Sequence, residues 1–489
     1  MACRMHLGVA LVVFRVAGIQ AGENNTPPTA ITVDSSRHFQ AIDGFGLNFT
    51  APYFRDDQKA MFDMFIDDLG VTMFRVVPYL VYSNWEVTND NDDPEVMNWE
   101  YYNNRYSSPI FEASWKGIRY LNSRGIRPVI ALMGPVPSWM LAERSEPPRH
   151  KVCNASSDIP PMKPSMYPEF AEEVVSMLMY ARSKEKLEFQ YFSPFNETDC
   201  YPAEGPRIDP GEAPAVLAAV ARRLRKEGLG DIRLVVADQA VIDNDYVTPI
   251  LKDSELMKRV GAFGFHSYSD SSVGPQVERV KASPYAHIPV WLTEYGDLHD
   301  QDKTEENEWK LFSLAANRRA LIALNQGASA LFYFNAFDDY EECMLRLTFY
   351  GLYQSADQVY VPRKRYFATR QLYHFVRPGS RRIAVTGQGK GLTISAFQDA
   401  AAGSVVIVGV KEGGANRIRF AFQDAAAVPD HLSLYLTSRS VNCIEQGVIP
   451  VRSGVAEVDF PDEAVFTLVG STGTGKTEER GTVRPAGAL

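Results

Sequence analysis

Residues 187–200 read LEFQYFSPFNETDC. An alternating apolar run stops at Pro194, and Asn196 and Glu197 follow at once. A buried strand that ends this way places a carboxyl group at the mouth of a barrel. Residues 288–297, IPVWLTEYGD, repeat the design, a short apolar run ending on Glu294. Two parallel strands that each end on a glutamate bring two carboxyl groups to one rim.

Outward from this pair the chain alternates. Residues 39–49, FQAIDGFGLNF, are strand-like, and Gly44 and Gly46 permit a sharp turn or a close approach of other groups. Residues 56–69 carry Met61, Phe62, Phe65 and Leu69 at helical spacing, and Gly70 closes the helix. Strands follow at 71–79, with Arg75 inside, at 127–132 and at 187–196; helices follow at 110–122 and 169–182. Residues 82–106 and 143–168 read as long polar loops, and 134–140, GPVPSWM, as a proline-punctuated one. The second half gives strands at 233–237, 261–266, 289–294 and 328–335. Helices separate them at 212–227, 246–259, 274–282 and 308–325, and a last helix spans 363–375. Eight strand-helix units predict an α/β fold with a closed parallel (β/α)8 TIM barrel, the rival being an open doubly wound sheet.

After Ser380 helical spacing vanishes. RRIAVTG, LTISAFQ, SVVIVGVK, RIRFAF, LSLYLTS, GVAEVDF and AVFTLVG are short strands separated by Gly, Asp and Pro. They predict a C-terminal all-β sandwich, which the apolar stretch 30–34 can join. The expected division is a signal peptide at 1–22, a leader and joining strand at 23–38, the barrel at 39–379, the β-sandwich at 380–470 and a disordered tail at 471–489.

The 489 residues are 45% hydrophobic and 22% charged, with a formal charge of −10, which is ample for a large core and lacks any basic stripe for nucleic acid. Arg4, the apolar run 7–14 and the small residues Ala17, Gly18 and Ala21 fit a secretory signal, and the run is too short to span a bilayer. Of Cys3, Cys153, Cys200, Cys343 and Cys443, the first leaves with such a signal. Cys153–Cys200 is the first candidate disulfide, since both lie in loops beyond strand ends; four free or buried thiols are the alternative. No Cys/His spacing suggests zinc. Asn24, Asn48, Asn154 and Asn196 begin glycosylation sequons. Residues 470–477, GSTGTGKT, satisfy the phosphate-loop pattern, but no apolar helix follows, so no nucleotide is expected. Asp338, Asp339, Glu341 and Glu342 read as a solvated acidic loop rather than a calcium site.

The C-terminal ends of the strands carry Arg75, Asn196, Glu197, His266, Tyr268 and Glu294, with Trp85, Trp139 and Tyr201 in loops nearby. Sugar faces are apolar C–H surfaces that aromatic rings cover, so two carboxyl groups amid aromatics point to carbohydrate. His266 as a satisfied interior histidine, and Arg75 as a structural ion-pair partner, are the plainer alternatives.

QAIDGFG near the start, SPFNE, WLTEYG and the β-module together resemble the retaining β-glycosidases of the (β/α)8-barrel clan, and within it glycoside hydrolase family 30. The resemblance spans roughly residues 30–470. It implies Glu197 as acid/base after strand four and Glu294 as nucleophile at the end of strand seven. Thr198 stands where the clan often has Pro, and strand eight ends on Phe334-Asn335 rather than Trp, which leaves the substrate open. On this footing Glu294 attacks as an anion beside Arg75 and Tyr268, Glu197 donates and then removes a proton, and Asn196 holds the sugar 2-hydroxyl. The expectation is a secreted, monomeric hydrolase of a β-linked oligo- or polysaccharide, without metal or other cofactor. The alternative is a non-catalytic carbohydrate-binding protein on the same barrel.

Overall fold

In the computed structural model the described residues are 28–78, 86–143, 148, 150–153, 159–201, 204–299, 304–338, 350–356, 359–414, 416–424 and 428–472. The signal-like segment, Trp85, Asn24, Asn154, Cys343, Asp339, Glu341, Glu342 and nearly all of the 471–489 tail and its phosphate-loop pattern lie outside them.

Eight parallel strands close into a barrel: β2 (Gly44–Thr50), β3 (Met73–Val77), β4 (Val129–Ala131), β5 (Tyr191–Ser193), β6 (Arg233–Gln239), β7 (Val260–Ser267), β8 (Val290–Tyr295) and β9 (Ala330–Tyr333), with β9 pairing back to β2. Helices cover the outside, among them Pro109–Ser123, Tyr167–Ser183, Ala213–Lys226 and Ala316–Gln326. The barrel is filled rather than hollow: Val129, Val235, Ala262, Trp291, Ala330 and Phe332 form an apolar plug in its interior. Asp43 accepts hydrogen bonds from the Trp291 indole (2.8 Å) and the Ser329 hydroxyl (2.6 Å).

A nine-stranded, mostly antiparallel sheet forms the second layer system. It comprises β1 (Thr29–Ala41), β12 (Arg381–Thr386), β13 (Leu392–Asp399), β14 (Ser404–Glu412), β15 (Arg417–Phe422), β16 (His431–Thr437), β17 (Ile444–Pro450), β18 (Val455–Asp459) and β19 (Glu463–Ser471). A small hairpin, β10 (Tyr353–Ala356) and β11 (Val359–Pro362), sits apart. The sheet curls until its end strands β17 and β18 approach each other, around a core of Ile31, Ile394, Ile407, Phe420, Phe466 and Leu468. β1 enters between β12 and β15, so the first described strand belongs to the sheet built otherwise from residues 381–471.

Three local readings are corrected. Residues 39–49 are two strands, because Ile42-Asp43 carries the chain from the side sheet into the barrel. The segment 82–106 contains a helix, Trp99–Tyr106, whose aromatic face packs inward and whose Asn98 caps the N-terminus. Asp338 is not solvated: it is buried in an ion pair with Arg363 and accepts from Gly351 N (2.9 Å). No described helix is long and apolar enough to cross a membrane.

Candidate active site

The strand ends converge on Arg75 of β3. Its NH1 donates to Glu294 Oε1 (2.6 Å) and Asn48 Oδ1 (2.9 Å), and its NH2 donates to Asn196 Oδ1 (2.7 Å) and Asp238 Oδ2 (2.8 Å). One planar cation therefore bridges β2, β6, β8 and the segment after β5. All five side chains are buried. Burial alone would make Arg75 easier to deprotonate, but Asp238 and Glu294 more than reverse this and fix its charge.

Asp238 is the anchor beneath. Besides Arg75 it accepts from Ser193 Oγ (2.6 Å) and Thr293 Oγ1, so β5, β6 and β8 are tied at one carboxylate. Burial would raise its pKa, yet Arg75, His266 and Ser193 hold it well below the usual carboxylate range. Its backbone also fixes Glu197, whose N donates to Asp238 O (2.9 Å). Glu197, Ala237 and Asp238 all take positive φ (47°, 71° and 49°), a strained arrangement for side-chain-bearing residues that the surrounding bonds impose. Register shifts occur at the same level in β6, β7 and β8, which re-aims the side chains at the strand ends.

His266 stands between the two glutamates. Its Nδ1 lies 2.6 Å from Glu197 Oε1 and 3.4 Å from Glu294 Oε2, and its Nε2 faces Asp238 Oδ1 at 3.4 Å. Burial would lower its pKa, but Glu294 and Glu197 outweigh that and, with the nearby Asp238 carboxylate, lift it to about 10. Tyr268 OH donates to Glu294 Oε2, so both oxygens of Glu294 accept hydrogen bonds. Donor atoms of Glu197, His266 and Glu294 lie within 4.8 Å of one another, close enough to surround an ion. Arg75 pairs with Glu294, and His266 touches both glutamates.

Of the residues singled out in the sequence, Arg75, Asn196, Glu197, His266, Tyr268 and Glu294 are brought together. Trp139 lies partly buried and donates from its indole to Glu86 O (3.1 Å). Tyr201 is fully buried with Arg207 over its ring, so it presents no face to a ligand; the aromatic-platform expectation for it is corrected. Asn48 and Asn196 are buried and bonded to Arg75, which removes both as glycan acceptors. Cys153 and Cys200 form a disulfide whose sulfur atoms lie within 4.8 Å of a Glu197 carboxyl oxygen.

Sequence reasoning missed Asn48, Asp238, Ser193 and Thr293. Asp238 was one residue beyond the expected end of its strand, where the rule that found Glu197 would have found it. Asn48 alternates with Leu47 and Phe49 in β2, a polar residue amid apolar neighbours.

A scan against models of known protein families gives no match. Solved structures do match in fold. An endoxylanase of glycoside hydrolase family 30 from Clostridium papyrosolvens C71 superposes with TM-score 0.67 at 19% identity, over 90% of this chain and 100% of that one. A family 30 subfamily 8 xylanase from Clostridium acetobutylicum gives 0.66 at 16%, over 91% and 100%. An endo-β-1,6-glucanase gives 0.60 at 16%, over 91% and 95%. The chain thus shares the architecture of these structures, a (β/α)8 barrel with a side β-sheet.

Proposed function

We propose that the protein is a retaining β-glycoside hydrolase that cuts within a β-linked polysaccharide. The observation carrying this reading is the close approach of the Glu197 and Glu294 carboxyl groups, with oxygens within 4.8 Å, at the C-terminal rim of a closed barrel. Retention needs carboxyl groups about 5–5.5 Å apart, whereas inversion needs about 6.5–9.5 Å to admit a water. The fold likeness to two xylanases and a β-1,6-glucanase supports the reaction class and favours endo action.

In this reading Glu294 is the nucleophile. Arg75 and Tyr268 each hold one of its oxygens and fix the direction of attack on the anomeric carbon. Glu197 protonates the departing oxygen and then removes a proton from the water that releases the glycosyl-enzyme. His266, touching both, holds them at the separation the two steps require. Arg75 has no lone pair to give, so Asn196 must turn Oδ1 towards it, which leaves Nδ2 to donate to a sugar 2-hydroxyl. The disulfide and the N-terminal segment support secretion.

The test is turnover of a panel of β-linked polysaccharides and chromogenic β-glycosides by wild type and Glu294→Gln. The variant is expected to lose at least about 10³-fold in kcat while keeping its fold, on the scale of removing a group that acts in the transition state. Proton NMR of the first product anomer should show the β configuration. Full activity of Glu294→Gln, or an α anomer formed first, overturns the assignment.

A further inference from the structure

Glu204 lies in the segment after β5, seven residues beyond Glu197. Glu197, Glu294 and Asp238 are each paired with Arg75 or His266; Glu204 pairs with neither. Its backbone is held from two sides, with Gly134 N donating to Glu204 O (3.0 Å) and Glu204 N donating to Cys200 O (3.3 Å). Gly205 seats the segment on the strand end: a Cβ there would come within 2.0 Å of Asn196 O, so no other residue fits. This backbone delivers the Glu204 side chain, which is only partly exposed, to Asn196, whose Nδ2 donates to Glu204 Oε2 across a long 3.4 Å. Among the described residues that long bond is the carboxyl group's only hydrogen bond.

We propose that Glu204 is a substrate-binding residue of this site, sharing with Asn196 a hydroxyl of a neutral glycosyl unit at the bond being cut. The proposal rests on the glycoside hydrolase reading above. A weak bond from Asn196 is one that a sugar hydroxyl can replace by sitting between the two side chains, its oxygen accepting both from the Asn196 amide and from the O–H of the protonated Glu204 carboxyl group. The groups that face Glu204 are Glu197 and Glu294 as acids and His266 and Arg75 as cations. Burial first, then the two glutamates, push its pKa up to about 8, against the pull of His266 and Arg75. Below that pH Glu204 is a carboxylic acid with one donor and one acceptor, which matches a neutral hydroxyl. Above it the donor is lost.

The experiment measures KM and kcat between pH 5.5 and 9 for wild type, Glu204→Gln and Glu204→Ala on the neutral β-linked oligosaccharide that wild type turns over fastest. Calorimetric binding of the same sugar is measured in the Glu294→Gln background, where no turnover interferes. Glu204→Ala is expected to raise KM and Kd about tenfold with kcat changed less than about threefold, the scale of losing a hydrogen bond or two to a neutral group. Glu204→Gln keeps donor and acceptor, so it should bind as wild type at pH 6.5 and lack the rise in KM that wild type shows above about pH 8. It also keeps the test alive should the alanine variant not fold. Unchanged KM and Kd in Glu204→Ala, or superimposable KM profiles for wild type and Glu204→Gln, overturn the proposal alone. If wild type turns over no β-glycoside, the hydrolase reading fails instead, and the calorimetric comparison across the panel still decides whether Glu204 binds sugar.

Discussion

Arg75 bridges four acceptors on separate parts of the rim, and no other side chain present could do so. Lysine has a single charged nitrogen on a flexible stem and cannot span Glu294, Asn48, Asn196 and Asp238 at once. Arg75→Lys is therefore expected to keep the charge yet lower kcat by about 10²-fold or more, through loss of orientation of Glu294 and Asn196. Asp238 tests the stabilising half of the pair. Asp238→Ala leaves a buried guanidinium short of one of its two carboxylates and should destabilise the protein by about 3–5 kcal/mol in chemical denaturation, the usual cost of breaking a buried ion pair. Its pH dependence follows from the sign of the shift. A carboxylate held below its ordinary range contributes stability above the unfolded pKa near 4 and loses it only as pH falls through the folded value. The wild type minus Asp238→Asn stability difference should thus be flat from pH 5 upward and shrink below pH 4. A difference that instead shrinks above pH 7 would contradict this account of the anchor.

At the scale of elements, the strand ends do the positioning and the segments after them do the trimming. The segment after β5 carries Glu197, Cys200 and Glu204 within eight residues, and the disulfide to Cys153 ties it to the excursion that follows β4. The bridge closes a loop of 47 residues, for which chain entropy gives about 4 kcal/mol. Cys153→Ser with Cys200→Ser should lose roughly that much stability. Because its sulfurs sit against Glu197, the double variant should also lose activity before it unfolds, measured as kcat at 25 °C against the thermal midpoint. Much of this layout was legible beforehand, because several barrel strands are apolar runs that end on or run into polar residues, as at Asn196-Glu197, His266 and Glu294, and that polarity is what a rim requires. The glutamates, Arg75, His266 and Tyr268 declared themselves by this rule. What stayed hidden depends on contacts remote in sequence. Nothing local to 353–362 announces a hairpin, and nothing in Tyr201 says that Arg207 will cover it. Trp99–Tyr106 was obscured because its buried residues are tyrosines in a polar stretch, which dilutes helical periodicity. Glu204 looked like any loop glutamate until Gly205 packed it against Asn196.

The largest of the apolar clusters runs through both units. Phe397, Val406, Val408, Val410 and Val465 of the side sheet belong to the same apolar cluster as the barrel helices, and Arg318 of helix Ala316–Gln326 pairs with Glu412 of β14 (2.7 Å). A second feature of the molecule, far less expected, is acidic and buried. Helix Tyr167–Ser183 turns Glu172 and Glu173 inward towards Glu86, and neither glutamate has a side-chain hydrogen-bond partner among the described residues. Glu86 accepts from Asp90 N (3.2 Å) and Tyr102 OH (3.2 Å). Burial raises all three, Glu86 to about 8, Glu172 to about 9 and Glu173 well above the carboxylate range; Asp90 and Glu169 add repulsion at Glu86 and Glu172, and Glu86 adds it at Glu172 and Glu173. A carboxyl group raised on folding binds its proton more tightly in the native state. Its stabilising contribution is full below the unfolded pKa near 4.3 and is lost as pH climbs through the folded value. His266, raised from 6.5 to about 10, acts in the same direction over the upper part of that window. The thermal midpoint should therefore fall steadily from pH 5 to pH 9, opposite to the trend that paired carboxylates such as Asp238 produce at low pH. Scanning calorimetry across that range checks it, with Glu172→Gln as the control: an amide does not titrate, so the variant's midpoint should fall less steeply and exceed that of wild type at pH 9. A midpoint that rises with pH in wild type would mean these carboxyl groups are hydrated and ionised, and that helix Tyr167–Ser183 does not pack against residues 86–106 as described.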